Sequence, residues 1–124
     1  MATIGAELVH VAPGEVDIAL PFSKQLTQQD GFLHAGVVAG AADSACGYAA
    51  LTTMEPRAEV LTVEFKINLL APAAGERLLV RGRLLRAGRT LTVCRADAVT
   101  ISEGHEKHVA TLTATLIARL AEPS

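Results

Sequence analysis

The segment that most constrains the fold is an apolar run over residues 32–53, in which Asp43 is the only formal charge. Nearly all the other residues are Ala, Gly, Val, Leu or similarly small types. A helix that is apolar on every side is usually buried inside a protein. About 20 apolar residues could also span a membrane, but a central Asp costs roughly 2.5 to 3.5 kcal/mol there. The run therefore predicts one buried central helix and no membrane span.

The segments around this run alternate between polar and apolar residues, which is the period of a half-buried strand. Residues 15–22 form one such segment before the run, and four more follow it at 62–69, 76–87, 89–101 and 108–120. Thr62, Glu64, Lys66 and Asn68 are expected on the wet face of the first long strand. Short turns join the strands, one at Gly88 and one over residues 103–105. An α+β fold follows, in which a long antiparallel sheet wraps around the helix.

Length and composition narrow the classes of function. A chain of 124 residues without a linker-like stretch predicts a single domain over 1–124. A net charge of -2 with 3% aromatic residues argues against a nucleic-acid partner. Cys46 and Cys94 lack zinc-ligand spacing and are expected to be reduced core residues, so no metal site is predicted. No secretory signal is visible at the N-terminus, so the cytoplasm is the expected location.

Asp43 has no basic residue on its own helix face. Its neighbours three and four residues away are Ala39, Gly40, Cys46 and Gly47. A carboxylate that is partly desolvated and bare of partners is a candidate base or nucleophile. The alternative is a packing role, in which Asp43 accepts hydrogen bonds from backbone or from a partner subunit.

The start of the apolar run offers a second candidate group. His34, Ala35 and Gly36 precede the helix, whose first backbone N–H groups have no intrahelical acceptor. Such donors, aided by the helix dipole, stabilise an oxyanion. An ordinary helix entry with a capping histidine is the alternative. Ala35 and Asp43 are separated by about 12 Å along one helix, so groups acting on one carbonyl must come from two subunits.

The order and spacing of these residues resemble a known family. His34-Ala35-Gly36, Asp43 nine residues after the histidine, the strand from Thr62 and the later turn at Gly88 look like the hotdog-fold thioesterases of the phenylacetate-degradation (PaaI-like) group. The likeness covers about residues 19–119. It implies the hotdog fold, and a homodimer or homotetramer whose active site lies between subunits.

The resemblance also implies roles for individual residues. The backbone N–H of Ala35, in the turn with His34 and Gly36, would polarise a thioester carbonyl, and Asp43 of the neighbouring subunit would activate water or attack directly. Gln28, six residues before the histidine, would help to position substrate or water. Thr62 would contact the nucleophilic water. The family usually has glycine where this chain has Ala35. Alanine keeps the N–H donor, but its added methyl group narrows the approach to this donor and so affects which sizes of substrate fit.

The turn between the second and third long strands resembles the part of the family that holds the nucleotide and phosphate end of coenzyme A. Arg86, Gly88, Arg89 and Thr90 are the residues concerned. Two guanidinium groups beside a glycine-opened backbone suit phosphate chemically. The alternative is that both arginines are solvated hairpin charges.

The function expected from the sequence is hydrolysis of an acyl or aroyl coenzyme A to the free acid and coenzyme A, without metal or redox cofactor. Two rivals belong to other classes: a hotdog dehydratase or hydratase acting on acyl thioesters, and a non-catalytic acyl-CoA binding module. Val, Leu, Ala and Tyr48 are expected to line the acyl pocket, which suits medium aliphatic chains and phenylacetyl-like rings.

Overall fold

The structure, a computed structural model, describes residues 5–23, 27 and 32–120. One helix lies against a six-stranded antiparallel sheet in the order β1-β2-β4-β5-β6-β3. The elements in chain order are β1 Glu7–Ala12, β2 Glu15–Pro21, α1 Ala35–Leu51, β3 Ala58–Leu69, β4 Arg77–Ala87, β5 Leu91–Ser102 and β6 His105–Leu120. The predicted α+β class is confirmed, and the sheet gains one strand, β1, for which the sequence had indicated no bounds.

Helix α1 is shorter than the apolar run that predicts it. It begins at Ala35, after His34 in an extended conformation, and ends at Leu51. In the described part of the chain this helix is not long and apolar enough to cross a membrane. Its buried face is built almost wholly from small residues: Val38, Ala41, Ala42, Ala45, Cys46, Ala49 and Ala50.

The small residues let the helix come unusually close to the sheet. A Cβ atom placed on Gly82 of β4 would lie 2.6 Å from the backbone oxygen of Ala45. Larger aliphatic side chains fill the space to either side of this contact, and Ile18, Leu20, Leu78, Val80, Leu112 and Leu116 are almost fully buried there. The core therefore combines a close helix-to-sheet contact with a ring of branched residues.

Strand β3 contains a bulge that changes which side chains face the helix. Thr62 pairs with Leu116 and Glu64 pairs with Thr115, so Val63 is the extra residue. Residues that pair across a sheet point to the same face, and Leu116 belongs to the buried core. Thr62 therefore faces the helix, and the prediction that it shares a face with Glu64, Lys66 and Asn68 was wrong.

The turn between β5 and β6 is also tighter than the predicted three-residue turn. Glu103 and Gly104 have φ angles of 52° and 79°, and His105 already belongs to β6. Two residues with positive φ are typical of a type I′ hairpin, whose twist matches that of the strands. This turn starts β6 three residues earlier than the sequence had indicated.

The outer face of the sheet, opposite the helix, carries ion pairs between strands. Arg83 contacts Asp17 at 2.6 Å, and Arg81 contacts Glu106 at 2.6 Å. The first pair joins the neighbouring strands β4 and β2, and the second reaches across β5 from β4 to β6, on a face that water also solvates.

Candidate active site

Asp43 lies on the side of α1 that faces the edge strand β3. Thr62 donates a hydrogen bond from Oγ1 to Asp43 Oδ1 at 2.8 Å. None of the described residues forms an ion pair with this carboxylate. The β3 bulge makes the contact possible, because without it the Thr62 hydroxyl would point to the outer face. The structure thus brings together two of the residues that the sequence predicts for the site.

An open cleft of about 220 Å³ surrounds this carboxylate. The helix contributes one wall and the start of β3 the other, and the lining residues are Asp43, Ser44, Gly47, Tyr48, Leu51, Val60 and Thr62. We call this the carboxylate cleft. Ser44, Leu51 and Val60 are not among the residues that the sequence predicts for the site. For Val60, its position two residues before Thr62 on the same strand was an available signal.

The first turn of α1 has free donors. His34 occupies the N-cap position with φ −60° and ψ 139°, and its side chain makes no capping hydrogen bond. The His34 side chain therefore does not cap the helix, and the alternative of a capping histidine is wrong. Among the described residues, nothing accepts the backbone N–H of Ala35 or Gly36, and no acidic side chain lies in this turn. The positive end of the helix dipole is available to a ligand.

A larger pocket lies at this end of the helix. Its volume is about 440 Å³, and it is lined by Phe32, Leu33, Ala35, Val38, Val109 and residues 69–73. This helix-start pocket shares no lining residue with the carboxylate cleft. Asp43 lies eight residues after Ala35 on the helix, which is a distance of about 12 Å. A single chain therefore does not bring the Ala35 donor and the Asp43 carboxylate to one reacting atom.

The β4–β5 turn lies at the same end of the sheet as Thr62. Ala87, Thr92, Leu116 and Thr62 form one row across four strands, so about 14 Å separates the turn from Thr62 at a strand spacing of about 4.8 Å. The Gly88 N–H donates to the Leu91 carbonyl at 2.8 Å and is not free for a ligand.

The two arginines of this turn differ in position. Arg89 and Thr90 are exposed at its tip, whereas Arg86 pairs with Val93 and so lies on the outer face. Neither arginine forms an ion pair with another described residue.

Gln28 lies outside the described residues, so its predicted positioning role has no structural description. Thr27, one residue before it, forms an isolated bridge with Leu33, at the edge of the helix-start pocket. Among the described residues, no group of three or more His, Cys, Asp or Glu side chains is arranged to hold a metal ion.

Comparison with known proteins identifies the family. Residues 30–106 match the family described as the Thioesterase superfamily. The chain belongs to this superfamily. A crystal structure of a thioesterase family protein from Silicibacter pomeroyi is 52% identical, with a TM-score of 0.95, and the match covers 98% of this chain and 89% of that one.

Two further relatives extend this placement. A mutant of the phenylacetic acid degradation protein PaaI from Thermus thermophilus is 25% identical, with a TM-score of 0.81, over 94% of this chain and 96% of that one. The human acyl-coenzyme A thioesterase 13 is 30% identical over 110 residues, 82% of this chain and 78% of the human protein. The chain spans 66% and 63% of the length of two relatives from Saccharolobus solfataricus. The hotdog fold and the resemblance to PaaI-like thioesterases are confirmed.

Proposed function

We propose that this member of the thioesterase superfamily hydrolyses an acyl coenzyme A to the free acid and coenzyme A. The observation that carries the proposal is the Asp43 carboxylate, which lies in an open cleft with the Thr62 hydroxyl as its hydrogen-bond donor and no cation beside it. The human relative is named an acyl-coenzyme A thioesterase, which supports coenzyme A thioesters as the substrate class.

The proposed chemistry needs only groups of the protein and water. The thioester carbonyl oxygen accepts a hydrogen bond from the Ala35 N–H at the start of a helix, where developing negative charge is stabilised. Thr62 occupies Asp43 Oδ1, so Oδ2 remains free to take a proton from the attacking water. The tetrahedral intermediate then collapses, the C–S bond breaks, and the coenzyme A thiolate leaves and takes up a proton.

We further propose that the active unit is a dimer in which each site takes Ala35 from one subunit and Asp43 from the other. The separation of about 12 Å within one chain requires a second subunit. Strand β3 supports this arrangement because it is an edge strand of 12 residues with half-exposed Leu61, Val63 and Phe65. A long apolar edge is a template for pairing with another strand. A homotetramer of two such dimers remains a prediction.

The coenzyme A end of the substrate is proposed to lie against the β4–β5 turn. Arg89 at the tip would contact a phosphate, and Arg86 would add charge from the outer face. A cytoplasmic location is part of the proposal, supported by Cys46 and Cys94, which are both free thiols.

An acyl-CoA panel with thiol detection tests the activity. Thiol release from at least some members is the expected result. Hydration of crotonyl-CoA without thiol release would instead identify a hydratase. Tight binding across the panel without turnover would identify a binding module.

Subunit complementation tests the shared site. Ala35→Pro removes the N–H donor, yet proline suits the first position of a helix and follows the extended His34 without strain. Ala35→Pro and Asp43→Asn are each expected to be inactive as homodimers. Co-expression regenerates one intact site in each mixed dimer, so about a quarter of the wild-type activity should return with random pairing. Failure to recover any activity in verified mixed dimers would contradict a shared site.

A further inference from the structure

A second, smaller pocket adjoins the carboxylate cleft. It has a volume of about 200 Å³ and lies between β1 and the helix, lined by Ala6, Glu7, Leu8, Ile18 and Tyr48. Tyr48 also lines the carboxylate cleft, so the two spaces meet at this one side chain. We call the smaller space the β1 pocket.

We propose that the β1 pocket holds the distal part of the acyl group, and that Tyr48 sets the length of the acyl chain that the protein accepts. This inference rests on the proposed thioester function. The acyl chain of the substrate would run from its carbonyl group at Asp43 across Gly47 and past the Tyr48 ring. Gly47 leaves this passage open because it has no side chain, and a Cβ atom there would meet only Val60 at 3.7 Å.

The chemistry of the pocket favours the acyl end of the substrate over the coenzyme A end. Leu8 and Ile18 pair across β1 and β2 and present aliphatic surface. The one charged residue in the lining is Glu7, and no cationic side chain lines the pocket. Arg89, which does suit phosphate, lies in the β4–β5 turn and does not line this pocket.

The volume limits the occupant. A cavity of about 150 Å³ lined by apolar side chains is large enough for benzene. A pocket of about 200 Å³ therefore has room for about six to eight carbon atoms. This predicts a medium-length chain or a single ring as the distal part of the acyl group.

Tyr48 is suited to act as a boundary between the two spaces. Its side chain is 41% exposed, and no described residue forms a hydrogen bond with its hydroxyl. A large side chain that is not held by a hydrogen bond controls a passage by its volume. Replacing it with alanine would join the cleft and the pocket into one longer channel.

The test measures binding of S-alkyl coenzyme A thioethers from ethyl to dodecyl by titration calorimetry. These compounds contain no scissile thioester, so the measurement does not depend on turnover. The wild-type affinity should rise about fourfold for each methylene that enters the β1 pocket and then level off. Tyr48→Ala should move this plateau to longer chains.

Leu8→Trp is the filling variant, and Val11→Trp is its matched control. Both residues are exposed on β1, Leu8 by 51% and Val11 by 59%, and they pair with the core residues Ile18 and Val16. Only Leu8 of the two lines the pocket. Leu8→Trp should abolish the gain for long thioethers and leave ethyl-CoA binding unchanged, while Val11→Trp should follow the wild type.

Several results would overturn the inference. One is that Leu8→Trp weakens the binding of the ethyl and the decyl thioether equally. Another is that Leu8→Trp changes the affinity for none of the thioethers. A change of oligomeric state in Leu8→Trp without a change in affinity would identify the pocket as a contact between copies of the chain. By contrast, length-dependent binding in a protein that releases no thiol from any acyl-CoA would contradict the proposed hydrolysis and leave the pocket assignment in place.

Discussion

Two aspartates on opposite sides of the sheet make the same kind of hydrogen bond but have different charged neighbours. Asp43, on the helix side, and Asp97, on the outer face, each accept a hydrogen bond from a threonine hydroxyl at 2.8 Å. Asp97 also contacts Arg95 at 3.1 Å and His108 at 3.0 Å, whereas no described residue forms an ion pair with Asp43.

The difference shows how one pair of residue types can serve two purposes. Burial raises the pKa of the Asp97 carboxyl, but hydrogen bonds from Thr111 and Arg95 outweigh that effect and hold this pKa below its usual value. The charge of Asp97 therefore serves to stabilise the packing of the strands. The Asp43 carboxylate has an oriented hydroxyl and free space beside it, which is what a group that must exchange a proton with a substrate or water requires.

The largest expected effect separates the two carboxylates by activity. Asp43→Asn should lower kcat by about 1,000-fold, within the range for loss of a general base, with the fold and oligomeric state intact. Asp97→Asn, the matched control, should leave kcat unchanged. Steady-state kinetics on the best substrate of the acyl-CoA panel measures both. Equal activity in wild type and Asp43→Asn would remove Asp43 from the mechanism.

Removing the hydroxyl of Thr62 should lower activity and removing that of Thr111 should not, but the effect should be smaller than for the aspartates. Thr62→Val removes the hydroxyl that orients Asp43 and should lower kcat/KM about tenfold, since a hydrogen bond to a charged group contributes about 1.5 kcal/mol. Thr111→Val should leave kcat/KM unchanged and lower the free energy of unfolding, measured in urea, by about 1 kcal/mol. A tenfold loss of kcat/KM in both variants would break the distinction between the two faces.

The smallest expected effect concerns pH. The pKa of Asp97 is lower in the folded than in the unfolded chain, so the ionised carboxylate stabilises the fold above the unfolded value of about 3.9. That stabilisation is lost as the pH falls through the folded pKa. Wild type should exceed Asp97→Asn in free energy of unfolding by less than about 1 kcal/mol at pH 7, and the difference should shrink below pH 4. A difference that grows at acid pH would contradict this assignment.

Much of the fold could be predicted because its signals are local. A long apolar run with one charge indicates a buried helix, and alternating segments with glycine turns indicate an antiparallel sheet. The bare neighbours of Asp43 can likewise be read directly from helical spacing. These features depend on residues close together in the sequence, and the structure confirms the helix and the strands.

The rest of the site depends on contacts that sequence spacing does not show. The direction of Thr62 is set by the bulge at Val63, which simple alternation cannot reveal. The engagement of the Gly88 N–H with Leu91 comes from the geometry of the turn. The β1 pocket forms because β1 pairs with β2 beside the helix, so its lining could only be found from tertiary structure.

The bulge in β3 also determines which changes of length this strand accepts. Loss of Val63 would place Thr62 directly before Glu64, and regular pairing would still set Thr62 opposite Leu116 with its side chain toward the helix. Asp43 would keep its hydroxyl partner in such a strand. Position 63 therefore accepts a deletion as well as a change of residue. A homologue that is one residue shorter here would keep the same contact without a bulge.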